Sequence, residues 1–160
     1  MSALVLLMYS AAVFSSQPSY FENVFPVEHA ELVIRAAQKN FWGKAVLANG
    51  SLVLPANESE RKALPIPRNE AVRVVQSSAA AGLGAWCGVE WQSYYLAFMG
   101  SERAKPWSEK QIAFIGTLFG VAQASLQKSM SATPCESSDR ESVARMLGYS
   151  RGLDSATGSQ

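Results

Sequence analysis

The segment from Trp107 to Met130 constrains the fold more than any other, because it carries both a helix start signal and a continuous apolar stripe. Ser108 and Gln111 have the spacing of a capping box. In that arrangement the Ser108 hydroxyl accepts from the Gln111 backbone N–H, and the Gln111 side chain accepts from the N–H of Ser108. Trp107 before the cap and Ile112 after it are placed to form a hydrophobic staple. Ile112, Ile115, Phe119, Ala122, Leu126 and Met130 then recur at three- and four-residue steps, which sets them on one side of a helix. A stripe of that length has to be covered by other parts of the chain.

Two stretches before it supply the cover. A helix is expected from about Asn69, a good cap residue, to about Cys87, with Val72, Val75, Ala79, Gly82 or Leu83, and Trp86 on its apolar side. Its middle, Ser77 to Ala85, has almost no side-chain bulk, and a glycine inside a helix costs about 1 kcal/mol relative to alanine. Close helix–helix approach offsets such a cost. Gly116 and Gly120 give the later helix a small-residue face to meet Gly82, and the alternative is that this gap holds a ligand. A third helix is expected from about Glu90 to Lys105, between Gly88 and Pro106. Trp91, Tyr94 or Tyr95, and Phe98 mark its buried side, with Glu102 and Arg103 continuing in solvent. Trp86, Trp91, Tyr94 and Tyr95 thus gather at one corner, which either lines a site for an apolar ligand or peptide or plugs the end of the core.

The flanks add smaller elements. Val27, Ala30, Ile34, Ala37 and Phe41 form the stripe of a helix that Gly43 ends. Between Lys44 and Leu54 two apolar runs flank Asn49-Gly50, the signal for a type I′ hairpin that pairs Ala45–Ala48 with Ser51–Leu54. Glu58 to Lys62 reads as a turn of helix in a proline-punctuated connector. Ser138-Asp139-Arg140-Glu141 reads as a second capping box, opening a helix to about Leu147. The expected fold is mainly α: an antiparallel helical bundle of about five helices with one small β-hairpin. The expected organisation is a single helical domain over residues 20–148, followed by a flexible tail over 149–160 that is rich in Ser and Gly.

Short connections at Gly88 and Pro106 imply that the second, third and fourth helices run up, down and up. Cys87 ends the second helix and Cys135 lies just past the fourth, so both fall at one end of the bundle and a disulfide is expected there. The spacing is not that of a CxxC redox site, and two cysteines without a nearby histidine make no zinc site. A bridge points to an oxidising compartment. Residues 1–15 agree with that reading, since Ala3 to Met8 form an apolar run followed by Ser10, Ala11 and Ala12, the order of a secretory signal. Otherwise the segment is an apolar N-terminal helix that packs on the domain and the protein is cytoplasmic. The run is too short to span a bilayer.

Composition bounds the function from the other side. The 160-residue chain has a formal charge of +1 with no basic block, and no Arg or Lys alternates with the rings of Trp86, Trp91, Tyr94 and Tyr95. Nucleic acid is therefore not an expected partner. The only histidine, His29, stands beside Glu28 and Glu31 without the convergent partners that a metal site or a general base needs. Glu28, Glu31, Glu58, Glu60, Glu90 and Glu102 offer acids but no spacing that marks a catalytic pair, and there is no G-x-S-x-G elbow or phosphate-binding loop. No cofactor or metal is implied. The general plan is that of small two-cysteine helical proteins of the bacterial periplasm, acid-stress chaperones among them, a likeness of class with no motif matched residue by residue. The reading that follows is a non-enzymatic exported protein, periplasmic or secreted, that binds a partner in a chaperone-like or accessory role. The alternatives are a carrier of a small apolar ligand between helices and a hydrolase with unmarked acidic residues.

Overall fold

A computed structural model of the chain describes residues 27–148. The possible signal at 1–15 and the tail at 149–160 lie outside the described residues. Six helices are present among those described: α1 (Val27–Lys39), α2 (Glu58–Lys62), α3 (Arg68–Cys87), α4 (Gln92–Arg103), α5 (Glu109–Met130) and α6 (Ser137–Met146).

The capping box at the start of α5 is formed, with Gln111 N–H donating to Ser108 Oγ (3.3 Å) and Ser108 N–H donating to Gln111 Oε1 (2.9 Å). From that fixed start Ile115, Phe119, Ala122 and Leu126 are buried, joined by Phe114 and Leu118. The helix these residues cover is α3, which packs against α1, α4, α5 and α6 and is buried on all sides from Ser78 to Gly84. Seven consecutive buried positions leave no polar face, so the small residues there let several neighbours approach one backbone. Gly82 is the closest point. A Cβ on it would lie 2.9 Å from Leu126 Cβ and 3.1 Å from the Gln123 carbonyl oxygen.

Cross-links fix the directions of the helices. Gln111 Nε2 donates to Pro65 O (3.0 Å) just before the start of α3, and Cys135 beyond α5 meets Cys87 at its end. Thus α3 and α5 run the same way. Arg73 meets Glu102, and the Tyr94 hydroxyl donates to Ser77 O (3.0 Å), so α4 runs in the opposite direction to both. Phe41 just after α1 meets Phe114 edge-on at 5.1 Å, and Val143 and Leu147 from α6 and its end complete the core.

Several expectations are corrected. The β-hairpin is not formed: the described residues contain a single antiparallel bridge, Val46 to Leu52, and no strand. Asn49 does not take a positive φ, only Gly50 does (φ +84°), so the turn is not type I′. Instead Gly50 N–H donates to Leu47 O (2.9 Å), which centres the turn on Ala48 and Asn49, one residue earlier. The ladder also stops short at its base. Ala45 N–H turns back to Phe41 O, and Gly43 N–H takes the Val53 carbonyl that a continuing ladder would have used. The result is an arm, residues 44–54, that buries Val53 and leaves Leu52 and Leu54 outside.

Helix α3 begins with Pro67 rather than Asn69 at its cap, since Ala71 N–H already donates to Pro67 O (3.0 Å). Proline has its φ preset and no N–H to satisfy, so it serves a helix start directly. Helix α6 likewise opens two residues early, Glu136 N–H donating to Asp139 Oδ2 (3.1 Å) in place of the Ser138–Glu141 box. Glu102, expected in solvent, is 1 % exposed.

Candidate functional site: an apolar cleft beside α4

Helix α4 is attached to the core along its edges and held away from α5 in between. Met99 and Glu102 are its only fully buried side chains, while the rings of Tyr95 and Phe98 lie against Phe119 at 5.1 and 5.0 Å. Rings of that size set the helices apart, and the space that remains is a cleft of about 600 Å³ between α4, α5 and the arm. Apolar side chains of Tyr95, Met99, Trp107, Ile112 and Ala113 line it together with Gly116, and Ala45 to Ala48 close one side. Gly116 deepens it, because a Cβ there would reach to 3.4 Å from the Tyr95 hydroxyl oxygen. Arg103 and Glu109 supply charge, and Thr117 has its hydroxyl engaged by Ala113 O (2.9 Å).

The cleft continues onto an apolar surface. Val46, which lines it, is 54 % exposed, and Leu52 across the bridge is 52 % exposed. A directly opposed pair of this kind places its side chains close together on one face. Leu54 follows two residues on and is also exposed.

One end of α4 is fastened by charge. The Glu102 carboxylate accepts from Arg73 Nη2 (2.9 Å), Lys105 Nζ (3.0 Å) and Trp107 Nε1 (3.2 Å). Burial works against its ionisation, but the hydrogen bonds from Lys105 and Trp107 and the charge and hydrogen bond of Arg73 outweigh it and hold the carboxyl below its usual range. Arg73 in turn binds Glu70 (2.8 Å) and its pKa is raised: burial opposes its charge, and the two carboxylates more than compensate. Trp107, bound to this cluster by its indole nitrogen, forms part of the cleft wall, so the ionic cluster positions that part of the wall. Sequence reasoning missed Glu102. The available signal was its position four residues after Phe98 and three after Met99, on the inward side of the helix.

The four aromatic residues singled out from the sequence have different hydrogen-bond partners and neighbours. Tyr95 alone among them lines the cleft. Trp86 donates from Nε1 to Thr133 O (2.8 Å), tying α3 to the segment before Cys135. Trp91 packs beside Gly84, where a Cβ on the glycine would meet Trp91 Cβ at 3.0 Å and Leu147 Cδ1 at 2.9 Å. Tyr94 is spent on Ser77 O, and burial pushes its hydroxyl pKa up. Of the glycines, Gly82 sits in the α3–α5 contact, Gly116 faces Tyr95 and Met99 of α4, and Gly120 is exposed with nothing within 4 Å. The packing role expected of Gly120 is corrected by that exposure: one turn beyond Gly116 on the same side of α5, it meets no neighbouring helix within 4 Å.

Cys87 and Cys135 lie at disulfide distance, with Cα atoms 5.2 Å apart across a separation of 48 residues. Four of the six acids considered for hydrolysis face cations: Glu31 faces Arg68, Glu58 faces Arg61, Glu60 faces Lys110 and Glu102 faces Arg73. Among the described residues no group of three or more His, Cys, Asp or Glu side chains is placed to hold a metal ion, and no helix is long and apolar enough to cross a membrane. The chain matches no protein-family model, no curated protein and no solved structure.

Proposed function

We propose that the protein acts by binding, as a non-enzymatic exported helical protein, periplasmic or secreted, that receives an exposed apolar segment of a partner polypeptide in a chaperone-like role. The observation that carries this reading is the union of an apolar cleft with uncovered apolar side chains, Val46 on its wall and Leu52 beside Val46 on the arm. Exposed apolar side chains grouped beside a cleft support a binding role. Export is supported by the Cys87–Cys135 pair, whose geometry suits a bond that persists in an oxidising compartment, and by the signal-like order of residues 1–15.

The test is light scattering from citrate synthase unfolding at elevated temperature. Wild-type protein delays the rise in scattering, and a double Val46→Lys, Leu52→Lys variant does not. Both sites are exposed, so the fold survives. No delay by the wild type, or an equal delay by the variant, overturns the reading.

A second reading, carriage of a small apolar ligand, is favoured by one observation: a volume of about 600 Å³ falls within the range of small-molecule sites. It predicts uptake of an apolar dye such as N-phenyl-1-naphthylamine that Gly116→Leu abolishes and Leu52→Lys leaves unchanged. Loss with Leu52→Lys and retention with Gly116→Leu would remove it.

A further inference from the structure

A second hollow, of about 430 Å³, lies between α1 and α2 and has a different character. It is lined by Arg35, Gln38, Lys39, Trp42 and Arg61. Arg35 and Lys39 stand one turn apart on α1, a like-charged pair at the spacing where such pairs repel. Four other cations, Arg68, Arg73, Lys105 and Lys110, each lie within 3.0 Å of a carboxylate oxygen. At this hollow, Arg61 alone has an acidic partner, the exposed Glu58 at 3.3 Å, while Arg35 and Lys39 appear in no ion pair of the described residues.

The hollow is also built by links between elements. Gln38 Nε2 donates to Lys62 O and Ala63 O (both 3.1 Å), and Trp42 Nε1 donates to Arg61 O (3.2 Å). These bonds fasten the end of α2 to α1 and set Arg61 opposite Arg35 and Lys39. Trp42 is half-buried, with Phe41 edge-on at 4.8 Å and Lys110 over its ring at 5.7 Å, so the indole is held as a fixed wall.

We infer that this hollow is a binding site for a small aromatic anion, its phosphate or carboxylate held by Arg35, Lys39 and Arg61 and its ring placed against Trp42. Guanidinium groups match the oxygens of phosphate and carboxylate in paired hydrogen bonds, and indole supplies area for a planar ring. The site is separate from the cleft beside α4 and stands whether or not that cleft binds a polypeptide.

The experiment is a ¹H–¹⁵N spectrum of the full chain, in which the indole N–H signals of its four tryptophans are resolved. Trp42 is identified by the signal lost in Trp42→Phe, and phenyl phosphate is the probe, with inorganic phosphate and phenol as separate arms. Phenyl phosphate moves the Trp42 signal saturably and leaves the Trp86, Trp91 and Trp107 signals in place. An Arg35→Gln, Lys39→Gln variant, both sites exposed and the other indole signals unchanged, weakens binding about tenfold or more, and so does removing the ring from the probe. A Trp42 signal that does not move, or moves equally in the variant, overturns the site. Equal binding of inorganic phosphate and phenyl phosphate overturns the part assigned to the ring.

Discussion

Along the contact between α3 and α5 two backbones approach until there is no room for a methyl group at Gly82, whereas along α4 the rings of Tyr95 and Phe98 hold that helix off α5 and leave a cleft. The first contact is apolar, closed and pinned at its far end by the Cys87–Cys135 pair. The second is open, with an ionic cluster around Glu102 at one end. Glycine contributes to both. Gly82 lets helices touch, and Gly116 makes space beneath a tyrosine. The lesson is that residue size alone does not say whether a gap closes. What faces the small residue decides it.

Four changes test that contrast. The largest effect is expected from the pin: reducing the Cys87–Cys135 bond, or Cys135→Ser, frees a loop of 48 residues and lowers stability by about 4 kcal/mol on the chain-entropy model, measured by urea unfolding. Gly82→Leu comes next. It forces a side chain into Leu126 and the Gln123 carbonyl and lowers stability by about 3 kcal/mol, whereas Gly116→Leu, which points into the cleft, costs less than about 1 kcal/mol. Equal costs at the two glycines would erase the distinction between the closed and the open contact.

Glu102→Gln tests the ionic end. It removes a charged acceptor from Arg73, Lys105 and Trp107, and is expected to cost about 2 kcal/mol at neutral pH. Its pH signature has a definite sign. The folded carboxyl titrates below its ordinary 4.5, so the folded state binds fewer protons than the unfolded chain in that window. The stabilisation is present above about 4.5 and is lost as pH falls through the lowered folded value, so the wild type weakens on acidification and the variant lacks that component. A variant with the same acid profile as the wild type would remove Glu102 as the source. The last effect is a gain: Gly120→Ala, on an exposed helical position with nothing within 4 Å, raises stability by about 1 kcal/mol.

What could be read from the chain beforehand was set by neighbours in sequence. The Ser108–Gln111 capping box, the helix turn at Glu58 to Lys62 and the common end reached by Cys87 and Cys135 all follow from spacing or from short connections. The rest depended on contacts between distant segments. The arm is no hairpin because Ala45 N–H is claimed by Phe41 O, a bond that the Asn49-Gly50 signal does not contain. Spacing points to Tyr95 and Gly116 separately, but not to the cleft they share with Met99 and the arm, because those residues meet only through the fold. Glu102 was assigned to solvent from its charge, although its helical position faces inward and its partners Arg73 and Trp107 come from either side in the chain.

Hydrogen–deuterium exchange of the full chain, with and without a saturating neutral peptide of alternating Leu and Ser, tests the binding account most directly. The account predicts slowed exchange confined to the arm at residues 44–54, to α4 and to the first half of α5, with the α3–α5 contact around Gly82 unchanged. Protection spread evenly over the molecule, protection centred on α1 and α2, or none at all, would contradict it.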